Sequence, residues 1–142
     1  MSSAENKQMV RDAFEAWSRG DGRAFFKLVA DDVRWTVTGS TPISGTYHSK
    51  REFREVVRSL SERFVTDLKV TLRDVIADGD KVAIQFESHA EGKNGTPYDQ
   101  TYCWVTRLED GKVREVIAYL DTELVSKRSE EEEQAPSPYP LP

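Results

Sequence analysis

The sequence predicts an α+β fold, with helices gathered in the first half of the chain and a mostly antiparallel sheet in the second. Three observations carry this. Before residue 65 the apolar residues recur at helical spacing, twice behind a Ser-x-x-Glu pair. After it they alternate with polar residues at strand spacing. Between the alternating runs stand Asp-Gly and Asn-Gly pairs, which favour tight hairpin turns. With 142 residues, one domain is expected.

The elements follow in order. Val10, Ala13, Phe14 and Trp17 mark one face of a first helix, with Ser2 and Glu5 as a capping box and Gly20 as its stop. Asp21 can cap a short second helix carrying Phe25, Phe26, Leu28 and Val29. Val33, Trp35 and Val37 alternate with Arg34, Thr36 and Thr38 in a strand. Gly39, Pro42 and Gly45 then break the chain. Ser49 and Glu52 form a second capping box, and Phe53, Val56, Val57, Leu60 and Phe64 share a face of a third helix. Four strands follow. Leu68, Val70 and Leu72 lie on the first, Val82 to about Glu91 form the second, Tyr98 to Leu108 the third, and Val113 to Glu123 the fourth. Asp78-Gly79, Asn94-Gly95 and Asp110-Gly111 are the turns, so neighbouring strands should be antiparallel. The body is expected to end near residue 126. Beyond it, Glu130 to Glu133 and then Pro136, Pro138, Pro140 and Pro142 predict a disordered, acidic and proline-rich tail over 127–142.

Composition removes several function classes. The net charge is -5 with no basic run, which argues against nucleic acid and anionic membranes as partners. No apolar run approaches a membrane span, and the N-terminus lacks the basic and apolar regions of a signal peptide, so a cytoplasmic protein is expected. One cysteine, Cys103, and two distant histidines, His48 and His89, give neither an internal disulfide nor a zinc cluster. Gly20-x-Gly22 has no third glycine and no strand before it, so it is not a dinucleotide fingerprint. No cofactor or metal is expected.

Parity assigns faces. Val82, Ile84 and Phe86 share one with Ser88 and Ala90. Thr101, Cys103 and Val105 share another, as do Val113, Glu115, Ile117, Tyr119 and Asp121. These sets are expected to face the helices. Gln85, Glu87 and His89, with Tyr102 and Trp104, then fall on the outer face, an aromatic set that predicts a homodimer interface.

Five short motifs resemble the nuclear transport factor 2-like superfamily, in particular its SnoaL-like and ketosteroid-isomerase-like members. They are Ala16-Trp17-Ser18-Arg19-Gly20-Asp21, Leu28-Val29-Ala30-Asp31-Asp32-Val33, Ile43-Ser44-Gly45-Thr46-Tyr47, Glu109-Asp110-Gly111-Lys112-Val113 and Ala118-Tyr119-Leu120-Asp121-Thr122. The resemblance covers about residues 5–125. It implies a cone-shaped curved sheet wrapped around three helices, an internal apolar cavity, and homodimers formed through the outer sheet face. It does not fix a function. The ketosteroid isomerase tyrosine falls near Ala13 or Phe14, its base near Thr36 to Thr38 and its protonated aspartate at Cys103, so that catalytic set is absent. The Arg-x-Asp pair of limonene-epoxide-hydrolase-like enzymes falls on Phe86 and Ser88, and only the late-strand Asp121 matches.

Two functions follow. One is a cofactor-free acid/base enzyme of isomerase, cyclase or hydrolase type. It would act on a small apolar or carbonyl-bearing ligand, with Asp121 as acid/base in the cavity. Phe14, Trp17, Trp35, Val37, Phe53, Phe86, Ser88, Thr101, Cys103 and Tyr119 form the expected ligand-contacting set, while Tyr47 and His48 border the mouth or sit in a surface loop. The other is a ligand-binding or dimerisation module without chemistry. A polar group within reach of Asp121 favours the enzyme; a cavity filled by Phe14, Trp17, Phe53 and Phe86 favours the module.

Overall fold

A computed structural model describes residues 1–93 and 95–126. The expected tail over 127–142 and Asn94 of the Asn94-Gly95 turn lie outside the described residues. The elements are α1 (Ser3–Ser18), α2 (Arg23–Phe26), β1 (Val29–Val37), β2 (Gly45–Tyr47), α3 (Lys50–Ser61), β3 (Lys69–Asp78), β4 (Lys81–Glu91), β5 (Pro97–Glu109) and β6 (Lys112–Leu120). The strands form one sheet in the order β2-β1-β6-β5-β4-β3, antiparallel throughout except where β1 runs parallel to β6. The α+β class and the mostly antiparallel sheet therefore stand. The short edge strand β2 lies where the sequence shows only chain breakers. No described helix is long and apolar enough to cross a membrane.

Local chemistry sets the helix starts. The Ser2 hydroxyl accepts from the Glu5 N–H (3.1 Å), and the Glu5 carboxylate accepts from the Ser2 N–H (3.2 Å), closing the expected capping box. Ser49 caps α3 through the Glu52 N–H, but Glu52 reaches back to the His48 N–H, one residue before the cap. The second helix ends earlier than expected, because Val29 already pairs with Val113 in the sheet.

Register shifts interrupt the β1–β6, β3–β4 and β5–β6 ladders and bend the sheet around the helices. The concave face holds an aromatic core. Phe14 of α1 lies 5.0 Å from Phe25, 4.8 Å from Phe86 and 5.5 Å from Trp17, measured between ring centroids. Trp35 of β1 stacks on Phe53 of α3 at 3.9 Å. Among the described residues two buried polar atoms, Asn6 Oδ1 on α1 and Trp35 Nε1 on β1, have no hydrogen-bond partner.

The structure corrects the facing of β5 and β6. A two-residue turn at Asn94-Gly95 would pair Lys93 with Thr96 and set Phe86 opposite Cys103. Instead Glu91 pairs with Pro97, the Gly92 N–H donates to the Thr96 carbonyl at 3.0 Å, and Phe86 stands opposite Tyr102. A shift of one residue turns every β5 side chain over. Tyr98, Gln100, Tyr102 and Trp104 therefore point to the concave side, with Thr101, Cys103 and Val105 outside. On β6, Leu108 pairs with Val113 but Arg107 with Glu115, leaving Arg114 as an extra residue. That bulge keeps Val113 buried, moves Val116 and Ala118 inward, and leaves Ile117 and Tyr119 exposed. Gln85 and His89 do lie on the outer face, where His89 Nδ1 pairs with the Asp99 carboxylate.

Candidate functional site

Between the helices and the concave face lies a cavity of about 270 Å³, close to the lower end of small-molecule sites. Trp17 ends α1 at one wall, beside Phe26 of α2. Trp35 and Val37 of β1 form the floor with Trp104 of β5 and Ala118 and Leu120 of β6. Phe53, Val56, Val57 and Leu60 of α3 close the opposite wall, followed by the segment from Phe64 to Leu68. All three tryptophans of the chain line this one space.

Polar groups collect on β5. Tyr98 and Tyr102, four residues apart on the same face of the strand, both reach the cavity. The Tyr102 hydroxyl lies 2.9 Å from Ser88 Oγ, and its ring stacks on Phe86 at 4.4 Å. Burial, with the neighbouring Tyr98, pushes the Tyr102 hydroxyl well above the ordinary tyrosine range; the Ser88 hydrogen bond offsets only part of this. Tyr102 is therefore a neutral hydroxyl at any physiological pH. The Tyr98 hydroxyl accepts from Gln100 Nε2 at 3.1 Å. Gln100 is 1% exposed and grips the main chain of Asp121 on both sides: Nε2 donates to its carbonyl (3.0 Å) and Oε1 accepts its N–H (2.7 Å).

The expected ligand set divides into four groups. Trp17, Trp35, Val37 and Phe53 line the cavity. Phe14 and Phe86 fill the space beneath it, 0% and 2% exposed. Ser88 stands behind Tyr102 as its hydrogen-bond partner. Thr101, Cys103 and Tyr119 lie on the opposite face of the sheet, because the hairpin register and the β6 bulge turn them outward. Asp121 is displaced for the same reason. Its side chain is exposed, is not among the cavity-lining residues, and accepts the Leu124 N–H at 3.2 Å as the cap of the helical segment 122–126. A carboxylate in that setting is a helix cap. Tyr47 contributes to the wall behind Phe53, 5.8 Å away between ring centroids, with its hydroxyl donating to the Ile43 carbonyl at 2.6 Å.

Parity alone missed Tyr98, Tyr102 and Trp104. The available signal was that Tyr98, Gln100, Tyr102, Trp104, Thr106 and Leu108 form an unbroken alternating set without a charge, whereas the set through Thr101 and Cys103 also contains Asp99, Arg107 and Glu109. Gly22 is a further residue fitted to the site. A Cβ there would sit 2.9 Å from Trp17 Nε1, so this glycine lets the indole lie against the α1–α2 turn.

Comparison with known proteins agrees with this architecture. The dimerizing cyclase phiC of a fungal species (strain ATCC 74256) is 28% identical over 102 residues, covering 68% of this chain and 45% of that protein. The chain thus spans less than half the length of this curated relative. An NTF2-like protein from Burkholderia thailandensis is 27% identical with a TM-score of 0.73, over 87% of this chain and 96% of that one. TerC, co-crystallized with polyporic acid, is 17% identical with a TM-score of 0.72, over 88% and 98% of the two chains, a likeness of fold. A family model described as a SnoaL-like domain matches residues 10–116. This chain belongs to the SnoaL-like domain family, within the NTF2-like fold.

Proposed function

We propose that the cavity binds a small, flat, largely apolar ligand bearing a carbonyl and promotes its cyclisation or isomerisation, with Tyr102 hydrogen-bonded to the carbonyl oxygen. The carrying observation is the Tyr98–Tyr102 hydroxyl pair set into a mostly aromatic and aliphatic cavity. When Ser88 donates to Tyr102, the phenol proton, otherwise shared with the Tyr98 side chain, can turn to a ligand oxygen. A neutral donor in a water-poor site stabilises charge that develops on that oxygen, and the apolar walls hold the reacting carbons together. The cyclase named among the relatives supports the reaction class. Binding without chemistry is the second reading. It is favoured by the absence of histidine among the described lining residues, Asp121 also lying outside them.

Small polycyclic ketones and polyketide-like esters are the compounds to test. Quenching of tryptophan emission reads binding, since Trp17, Trp35 and Trp104 all line the cavity. Mass spectrometry reads turnover. Tyr102→Phe keeps the ring on Phe86 and removes the donor. It should lower turnover on the order of 10²-fold while binding changes only a few-fold. Asp121→Asn, which preserves a helix cap, should leave turnover unchanged. Normal turnover by Tyr102→Phe rejects the catalytic assignment. Ligand quenching without product from any compound favours the binding module.

We also propose that the outer sheet face pairs with a second copy of the chain, now on different residues from those the sequence suggested. Ile76, Ala83, Val105 and Ile117 are cross-strand neighbours in one row, with Cys103 and Tyr119 alongside. Ile76, Ile117 and Tyr119 are large apolar side chains left exposed. Light scattering should give a dimer mass, and Ile117→Asp a monomer. A wild-type monomer at high concentration removes the proposal.

A further inference from the structure

We propose that the cavity prefers a ligand whose apolar body carries a cationic nitrogen, and that Asp67 at the mouth sets this preference. The inference rests on the cavity being the binding site and adds a charge class to its ligand. Among the described lining residues eight are aromatic, and none is lysine, arginine or histidine. One carboxylate, Asp67, completes the lining. Its side chain is exposed, and no described residue pairs with it through an ion pair or hydrogen bond. The position is fixed from below. The Val65 N–H donates to the Glu91 carbonyl at 2.8 Å, and the Glu91 N–H donates to Thr66 Oγ1 at 2.9 Å. These two bonds tie the segment before Asp67 to the end of β4, so the carboxylate stays at the rim.

The three possible charge states of a ligand separate on simple physics. A neutral body gains burial alone. An anion meets the Asp67 charge and the electron-rich faces of aromatic rings, with no lysine or arginine among the described lining residues to receive it. A cation is attracted by both, and tryptophan, present three times here, has the strongest pull. A quaternary or tertiary ammonium also sheds less hydration than a primary amine, so it enters an aromatic site more readily. An ammonium on the ligand end nearest Asp67 would leave the far end free to reach Tyr102.

Three probes of similar size test this: (1-naphthylmethyl)trimethylammonium, its neutral carbon isostere 1-neopentylnaphthalene, and 1-naphthylacetate. Affinity is read by quenching of tryptophan emission on the full chain. The ammonium should bind about tenfold tighter than its isostere, and the acetate weakest. Asp67→Asn should remove most of that tenfold advantage and leave the neutral probe unchanged. Added salt should weaken the ammonium alone, because the carboxylate is exposed. Equal binding of ammonium and isostere overturns the inference, as does an Asp67→Asn variant that keeps the full preference. In both cases a bound neutral probe leaves the cavity intact as a binding site. If no probe binds, the neutral one included, the binding-site reading falls and this inference with it.

Discussion

Alanine at position 14 should cost about 3–5 kcal/mol and lower the melting temperature by roughly 10–20 °C. Phe14 is 0% exposed and joins rings from four elements: Trp17 on its own helix, Phe25 on α2, Phe86 on β4 and Trp104 on β5, the last at 6.0 Å. Those partners are themselves large, and Trp35, itself stacked on Phe53, holds Trp104 from the far side. The walls cannot collapse into the space a benzyl group leaves, so the cavity term adds to the lost transfer energy. The void would open beneath Trp17 and Trp104, which line the ligand cavity, so a bulkier probe should bind the surviving folded fraction better. Phe14→Leu retains most of the volume and should cost less than half as much. Thermal unfolding followed by circular dichroism measures both. A fall of less than roughly 3 °C for the alanine variant would show that α1 is held to the sheet by other contacts.

The parts legible in the sequence are those where one periodicity had no competitor. The Ser2–Glu5 box, the Val10–Trp17 stripe and the part of the third stripe from Phe53 to Leu60 are each written within one helix and appear as read, whereas Phe64, expected on the same helix, lies past its end at Ser61 and bridges to Gly92. The face of β4 was also plain, because Val82, Ile84 and Phe86 share one parity while the other carries Lys81, Gln85 and Glu87, which are costly to bury. On β5 the charge-free set from Tyr98 to Leu108 does mark the buried face, but the apolar Cys103 and Val105 on the other face compete with it. The choice is made by the hairpin register, where one residue in the Gly92–Thr96 loop decides whether Phe86 meets Tyr102 or Cys103. The β6 bulge at Arg114 has no local signature, since an arginine fits a strand and a bulge equally well. Asp121 was placed in the cavity by continuing that strand's parity through the bulge. Cys103 and Tyr119 do share a face, as expected, but it is the outer one. Gln100 gave no signal, because a buried glutamine earns its place through partners that only the fold supplies.

Those partners make Gln100→Leu the second large effect. The amide makes four hydrogen bonds: from the Thr101 and Asp121 N–H groups to Oε1, and from Nε2 to the Tyr98 hydroxyl and the Asp121 carbonyl. It thus acts as a strand partner for the main chain at the point where β6 ends and the 122–126 segment begins. Leucine fits the volume but leaves two N–H groups and a carbonyl without their partners in a part-buried place. The expected cost is about 2–4 kcal/mol, or roughly 5–15 °C in melting temperature. It should be accompanied by faster hydrogen exchange at the Asp121 and Leu124 amides as the cap loosens. Gln100→Glu separates the donor from the acceptor. Its ionised carboxylate keeps both bonds to N–H groups but turns an oxygen toward the Asp121 carbonyl, in a site where burial disfavours charge. The folded-state pKa of that glutamate should therefore lie above its unfolded value of roughly 4.3. The variant should come closest to wild type below that pH and lose stability as pH rises through the folded value. Gln100→Leu should show no such additional pH dependence relative to wild type. If both variants melt with wild type and the Asp121 amide exchanges no faster, the clamp is not what holds the C-terminal segment on the sheet.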